Sequence, residues 1–112
     1  MPRNANKTMA RAVIDRMVKR IVKEFDPEQV ILFGSQARGD AGPDSDVDLL
    51  VVMDVVGSKL EKCLEIRGIL HDFLLPLDVI VTTPAEFAWR KDVVGTIEWP
   101  AAREGKVLYA RL

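Results

Sequence analysis

The residue types that could do chemistry are concentrated between Leu32 and Met53. There an apolar run ends in Gly34-Ser35, a polar loop follows, and a second apolar run opens with Asp46-Val47-Asp48. If the second run is a strand, its two aspartates point to the same face with their Cα atoms about 6 to 7 Å apart. Two carboxylates at that spacing can share one hard cation, so the pattern suggests magnesium chemistry.

A third aspartate, Asp78, opens the apolar run 77–81 after an intervening helical segment. Strand, helix and strand form a parallel crossover unit, which would bring Asp78 to the edge of the sheet that carries Asp46 and Asp48. Gly34-Ser35 instead lies at the end of its strand. If it reaches the same edge, that strand must run antiparallel to the other two, and the sheet must be mixed.

Ser35 is a plausible N-cap for a turn of helix that reaches Arg38. Such a turn leaves backbone N–H groups directed towards whatever lies beside Gly34. Since these groups attract negative charge, we expect an anion to be favoured there.

The elements that must position these residues follow from hydrophobic periodicity and from turn and capping signals. Predicted strands are Gln29–Phe33, Asp46–Met53, Leu77–Val81 and Lys106–Tyr109. Predicted helices run from about Thr8 to Phe25, Ser58 to Leu74, Thr83 to Val94 and Trp99 to Glu104. Capping boxes open the second and third of these helices, with Ser58 three residues before Glu61 and Thr83 three residues before Glu86.

The helix that opens at Ser58 is expected to bury its apolar residues against the sheet. They are Leu60, Leu64, Ile66, Ile69, Leu70, Phe73 and Leu74. The first helix has an apolar stripe as well, and its other face is basic. For that face we expect a solvated surface rather than a membrane or RNA contact.

Composition limits the classes of function. A chain of 112 residues predicts one small domain over 1–112, and 48% apolar with 29% charged residues is typical of a globular fold. The net charge of −1 gives no global attraction for nucleic acid or anionic membrane, and no apolar run is long enough to span a bilayer. The single Cys63 cannot form an internal disulfide, so we expect a cytoplasmic protein.

The polar loop has three competing interpretations. The spacing of Gly34 and Gly39 resembles a phosphate-binding P-loop, but Asp40 and Ala41 stand where lysine and a hydroxyl residue are required. An EF-hand read from Asp44 lacks the glycine and the glutamate that the calcium loop needs. The third is that Asp46 and Asp48 only cap a strand entry, with Asp44 and Ser45 as turn residues.

The whole order of motifs resembles the nucleotidyltransferase superfamily of DNA polymerase beta. It is most similar to the minimal MNT-type members found as antitoxins of HEPN/MNT toxin–antitoxin pairs. The residues that carry the resemblance are Phe33–Gly39, Ser45–Val51 and Leu77–Val81. Two positions depart from the common pattern: Gln36 often has an arginine counterpart in this family, and Val47 often a leucine.

The resemblance implies an α/β fold with a small mixed sheet and helices packed on it. It also implies Asp46, Asp48 and Asp78 as catalytic residues and as ligands of two magnesium ions. Four further residues would bind the nucleotide, and they are Gly34, Ser35, Arg38 and Ser45. The expected reaction moves AMP from ATP to a tyrosine of a cognate HEPN toxin, an RNase, with no direct binding of nucleic acid.

Two other functions remain open from the sequence. One is a non-catalytic module that neutralises its partner by forming a complex. The other is a transferase that modifies a small molecule such as an aminoglycoside.

Overall fold

The computed structural model describes residues 2–42 and 45–111. Its strands are β1 (Gln29–Phe33), β2 (Val47–Val52), β3 (Leu77–Thr82) and β4 (Lys106–Ala110). Its helices are α1 (Pro2–Phe25), α2 (Ser35–Arg38), α3 (Lys59–Ile69), α4 (Pro84–Arg90) and α5 (Glu98–Glu104). Asp44, the proposed first turn residue before the aspartates, lies outside the described residues.

The four strands form one mixed sheet in the order β3-β2-β1-β4. β1 pairs with β2 and with β4 in antiparallel fashion, whereas β2 and β3 are parallel and are joined through α3. The expected α/β fold and the antiparallel direction of the first strand are therefore confirmed. The C-terminal end of β1 and the N-terminal ends of β2 and β3 meet at one edge of the sheet.

Side chains alternate between the two faces of the sheet. One face packs against α1 and α3 around Leu49, Val51 and Ile66, all completely buried. The other face packs against α4 and α5 through a smaller cluster that contains Leu50 and Ala101. Because Asp48 alternates with Leu49, it lies on this second face.

The predicted burial of the apolar residues in and after α3 is partly wrong. Ile66 and Leu70 are buried, but Leu60, Leu64 and Leu74 are 68%, 59% and 96% exposed. At 100° per residue, Leu64 lies about 200° around the helix from Ile66, so it faces solvent when Ile66 faces the sheet. The helix also ends at Ile69, because the chain continues in tighter turns such as Leu70 N–H to Arg67 O.

The predicted ends of two other helices also change. α4 stops at Arg90 rather than near Val94, because the chain continues in tighter turns, in which Asp92 N–H donates to Trp89 O at 3.3 Å and Val93 N–H donates to Arg90 O at 2.9 Å. α1 begins at Pro2, six residues before the predicted start at Thr8. Its first turns have no apolar periodicity, but proline at the first position is favourable for a helix.

The predicted N-caps of α3 and α4 are confirmed. Ser58 Oγ accepts a hydrogen bond from Glu61 N at 3.2 Å, and Thr83 Oγ1 accepts one from Glu86 N at 3.2 Å. Within the described part of the chain, none of the helices has the length and apolar character needed to cross a membrane.

Candidate active site

The sheet brings the three predicted aspartates to one edge. Asp48 and Asp78 are paired in register on the parallel strands β2 and β3, so their backbones lie one strand spacing apart, about 4.8 Å. Asp46 stands immediately before β2, rather than inside it as predicted, and its side chain is exposed. The three carboxylates therefore share one local surface.

The environment of Asp48 opposes its negative charge. Partial burial raises the pKa of the Asp48 carboxyl above its usual value, and the negative charges of Asp78 and Asp46 raise it further. The positive charge of Arg38 acts in the opposite direction and is the smallest of these effects. Asp48 thus belongs to a cluster of negative charges that the positive charge of Arg38 compensates only in part.

Gly34 fits directly against Asp48. Phe33 pairs with Asp48 across β1 and β2, and a Cβ on Gly34 would overlap the Asp48 Oδ2 atom. The backbone of Gly34, at φ 74° and ψ −158°, also lies in a region that is essentially restricted to glycine. Both the space and the conformation therefore require glycine at this position.

The structure corrects the predicted cap of the short helix. Gly34, not Ser35, occupies the N-cap position, and Ser35 is the first helical residue. The reason is the unusual backbone of Gly34, whose carbonyl accepts the N–H groups of Ala37 and Arg38 at 3.1 Å. The Ser35 hydroxyl is consequently not used in the cap.

Arg38 lies at the end of this helix with its side chain 45% exposed. Its Nε donates to Asp40 Oδ2 at 3.2 Å and its Nη1 donates to Glu104 Oε2 at 3.4 Å. These two carboxylates raise the pKa of the guanidinium, Asp40 more than Glu104. The predicted phosphate clamp is therefore held near the aspartates by two acidic side chains.

Ser45 anchors the loop that leads into the aspartates. Its Oγ accepts Gly42 N–H at 2.8 Å, and its carbonyl accepts the Gln36 side-chain amide at 3.4 Å. Gln36 thus connects α2 to the residue before Asp46.

The three aspartates do not enclose a preformed metal site. Among residues 2–42 and 45–111, no group of three or more His, Cys, Asp or Glu side chains is arranged to hold a metal ion. The donor set nevertheless fits a hard divalent cation, because carboxylate oxygens are its preferred ligands and the crowding at Asp48 would be relieved by positive charge.

Glu104 is a part of this region that the sequence patterns do not predict. Glu104 ends α5, which is distant from Arg38 in sequence but packs on β1 near the exit to Gly34. No local motif marks such a residue, since its position depends on how the last helix and strand dock on the sheet.

Comparisons with known proteins agree with this arrangement. A family model of the nucleotidyltransferase domain matches residues 14–100. The fold is similar to a protein of Sulfolobus solfataricus assigned as a nucleotidyltransferase, with a TM-score of 0.70 and 21% identity over 99% of this chain and 89% of that one. No match was found among curated proteins.

Two further similar structures are toxin–antitoxin complexes. A chain of a complex crystallised with AMP-PNP has a TM-score of 0.55 and 16% identity, over 87% of this chain and 73% of that one. A chain of an MntA–HpeT variant has a TM-score of 0.51 and 18% identity, with the same shares of 87% and 73% covered. At these identities the structures share the fold. The family model, however, spans most of the sequence and includes all three aspartates, so the chain belongs to the nucleotidyltransferase domain family.

Proposed function

We propose that this nucleotidyltransferase transfers AMP from ATP to a hydroxyl group of a partner protein. The observation that carries the proposal is the placement of Asp48, which is paired with Asp78 in register and lies against the Cα of Gly34. A carboxylate cluster beside a glycine-serine turn suits a substrate that brings both phosphates and divalent cations.

Each site residue has a role in this proposal. Asp46, Asp48 and Asp78 hold magnesium, which when bound neutralises the triphosphate and aligns the attacking and leaving oxygens. The β and γ phosphates lie against the Gly34-Ser35 turn and receive hydrogen bonds from the Ser35 hydroxyl. Arg38 and Ser45, at the two ends of the loop, complete the phosphate site.

The chemical step is a substitution at the α phosphorus. The acceptor oxygen forms a bond to this phosphorus, the bond to the bridging oxygen of the β phosphate breaks, and pyrophosphate leaves. The acceptor loses its hydroxyl proton, which Asp78 takes. Asp78 suits this role because its side chain is exposed at the strand start, where an acceptor can approach it.

The proposed acceptor is a tyrosine hydroxyl of a cognate HEPN RNase toxin, which this modification silences. Support comes from the shared fold with chains of toxin–antitoxin complexes, one of them crystallised with AMP-PNP. The protein would then act as the antitoxin of a pair, with ATP and magnesium as its substrate and cofactor.

The test is the intact mass of the partner encoded beside this protein. After incubation with ATP and magnesium, the partner should gain one or more AMP groups, and the gain should disappear with Asp46→Asn/Asp48→Asn. Asp54→Asn is the matched control, because Asp54 is exposed beyond the opposite end of β2 and should leave the gain unchanged. A partner that stays unmodified, although the wild-type protein binds ATP with magnesium, would contradict the proposal.

A second candidate is a non-catalytic antitoxin that acts by occupying its partner. The shared fold with chains of toxin–antitoxin complexes supports this candidate as well, because those chains are themselves parts of complexes. The two candidates differ in the effect of Asp48→Ala. A protein that acts only by binding should neutralise the toxin fully with this change, whereas a transferase should lose most of its effect.

A further inference from the structure

Arg38 is held by acidic side chains from two different parts of the chain. Asp40 is its local partner, two residues away, and Glu104 reaches it from the end of α5. Both pairs are open to solvent, with about half of the Asp40, Glu104 and Arg38 side chains exposed. Exposed ion pairs of this kind contribute little to the stability of the fold, so a role in ligand binding is a better explanation for them.

The position of Glu104 is fixed by the backbone. The next residue, Gly105, sits so close to β1 that a Cβ there would lie 2.7 Å from Ile31 Cγ2 and 3.0 Å from Leu32 O, and it would also overlap Ala101 O of α5 itself. The following strand β4 continues along β1, with Lys106 paired with Leu32. The backbone of Glu104 is therefore held near the strand end that leads into Gly34.

The two bonds use only part of what Arg38 can donate. A guanidinium has five N–H donors, and Asp40 and Glu104 accept one each. A phosphate group can accept two N–H groups of the guanidinium at once, whereas the two carboxylates accept one each, at 3.2 and 3.4 Å. A triphosphate that arrives beside Gly34 can therefore displace the carboxylates from the guanidinium at low cost.

We infer that Glu104, together with Asp40, is a substitute ligand of Arg38 that competes with nucleotide phosphates for the guanidinium, so that Glu104 lowers the affinity of the site for nucleotide. The inference rests on the proposed function, since it takes Arg38 as a phosphate contact. Glu104 acts through Arg38 and is not itself a catalytic residue. Its negative charge also repels the triphosphate directly, and this effect weakens binding in the same direction.

The test is the affinity for ATP with magnesium, measured by calorimetry, and the separation of KM from kcat in the transfer reaction. Glu104→Gln keeps an acceptor of similar shape but removes the charge. It should tighten ATP binding and lower KM about two- to fivefold, the scale of one exposed ion pair, while kcat stays the same. Glu65→Gln removes the same charge from an exposed Glu–Lys pair on α3 and should change neither quantity.

A double variant shows whether Glu104 acts through Arg38. Arg38→Ala should weaken ATP binding, and Glu104→Gln added to it should have much less effect than in the unmodified protein. Raising the salt concentration should suppress what remains, because that remainder is a screened charge effect.

The outcomes separate this inference from the proposed function. No magnesium-dependent binding of ATP by the unmodified protein would overturn both. ATP binding that Arg38→Ala weakens but Glu104→Gln leaves unchanged, or weakens, would overturn the role of Glu104 alone. Equal effects of Glu104→Gln with and without Arg38 would also overturn it.

Discussion

Replacing Gly34 with alanine tests the geometry of the site most sharply, because it combines two separable costs. The first is the backbone, since φ 74° and ψ −158° lie where residues with a Cβ are strained by about 1–3 kcal/mol. The second is the overlap of the new Cβ with Asp48 Oδ2. Turning the Asp48 carboxylate away from a favoured rotamer costs about 0.5–1.5 kcal/mol.

The two costs can be separated by repeating the change in an Asp48→Ala protein. There the nearest remaining atom is the Cβ of residue 48, at 3.6 Å, which is an ordinary contact. Gly34→Ala should then cost only its backbone strain. Urea denaturation of the unmodified protein, the two single variants and the double variant should give a coupling free energy of about 0.5–1.5 kcal/mol between positions 34 and 48.

Gly57→Ala is the matched control. Gly57 also has a positive φ, 93°, but a Cβ there meets no atom within 4 Å. Gly57→Ala should lower the free energy of unfolding by about 1–2 kcal/mol because of its left-handed backbone, and by the same amount whether residue 48 is aspartate or alanine. If Gly34→Ala costs the same in both backgrounds, or no more than Gly57→Ala, Asp48 does not lie against Gly34 as described.

Four further changes test the charges and the packing. Asp48→Asn should raise the melting temperature at neutral pH without divalent cations by about 1–6 °C, from relief of a cross-strand charge pair worth about 0.2–1 kcal/mol. The gain should vanish near the usual carboxyl pKa of 3.8, because the raised pKa means that Asp48 destabilises the fold only once it ionises. Leu49→Ala should lower the free energy of unfolding by about 2–5 kcal/mol, and Leu64→Ala by no more than about 0.5 kcal/mol, in the same urea assay. The hydrogen bond from Arg20 lowers the pKa of Asp72, so Asp72→Asn should lower the melting temperature at pH 7 but not at a pH below that lowered pKa.

Strand directions could be predicted because they follow from local patterns and one rule of topology. The ends of β1 match the apolar run Gln29–Phe33, and the crossover through α3 places Asp78 beside Asp48. The mixed sheet then follows from the position of Gly34 at the end of its strand. These inferences need only periodicity, capping signals and the spacing of the motif.

Burial on the outer face of α3 could not be read from composition. Leu60 and Leu64 are as apolar as the residues that pack on the sheet, yet they face solvent, and the exposed Leu74 lies beyond the end of α3 at Ile69. Only the rotation of the helix about its axis decides which leucines are buried, and that rotation is set by Ile66 and Leu70 against the strands.

The contacts that shape the site depend on register and docking, which the sequence does not encode locally. The approach of Gly34 to Asp48 follows from the pairing of Phe33 with Asp48. The bond from Arg38 to Glu104 spans 66 residues and depends on the fit of Gly105 against β1. The roles of the aspartates in metal binding and catalysis remain predictions.

The most direct test of nucleotidyl transfer is to follow the α and γ phosphates of ATP separately. With the partner protein and magnesium, label in the α phosphate should appear on the partner, and label in the γ phosphate should leave as pyrophosphate. Asp48→Asn should abolish the first signal. Label from the γ phosphate on the partner, or α label that appears equally with Asp48→Asn, would contradict a nucleotidyltransferase built on these aspartates.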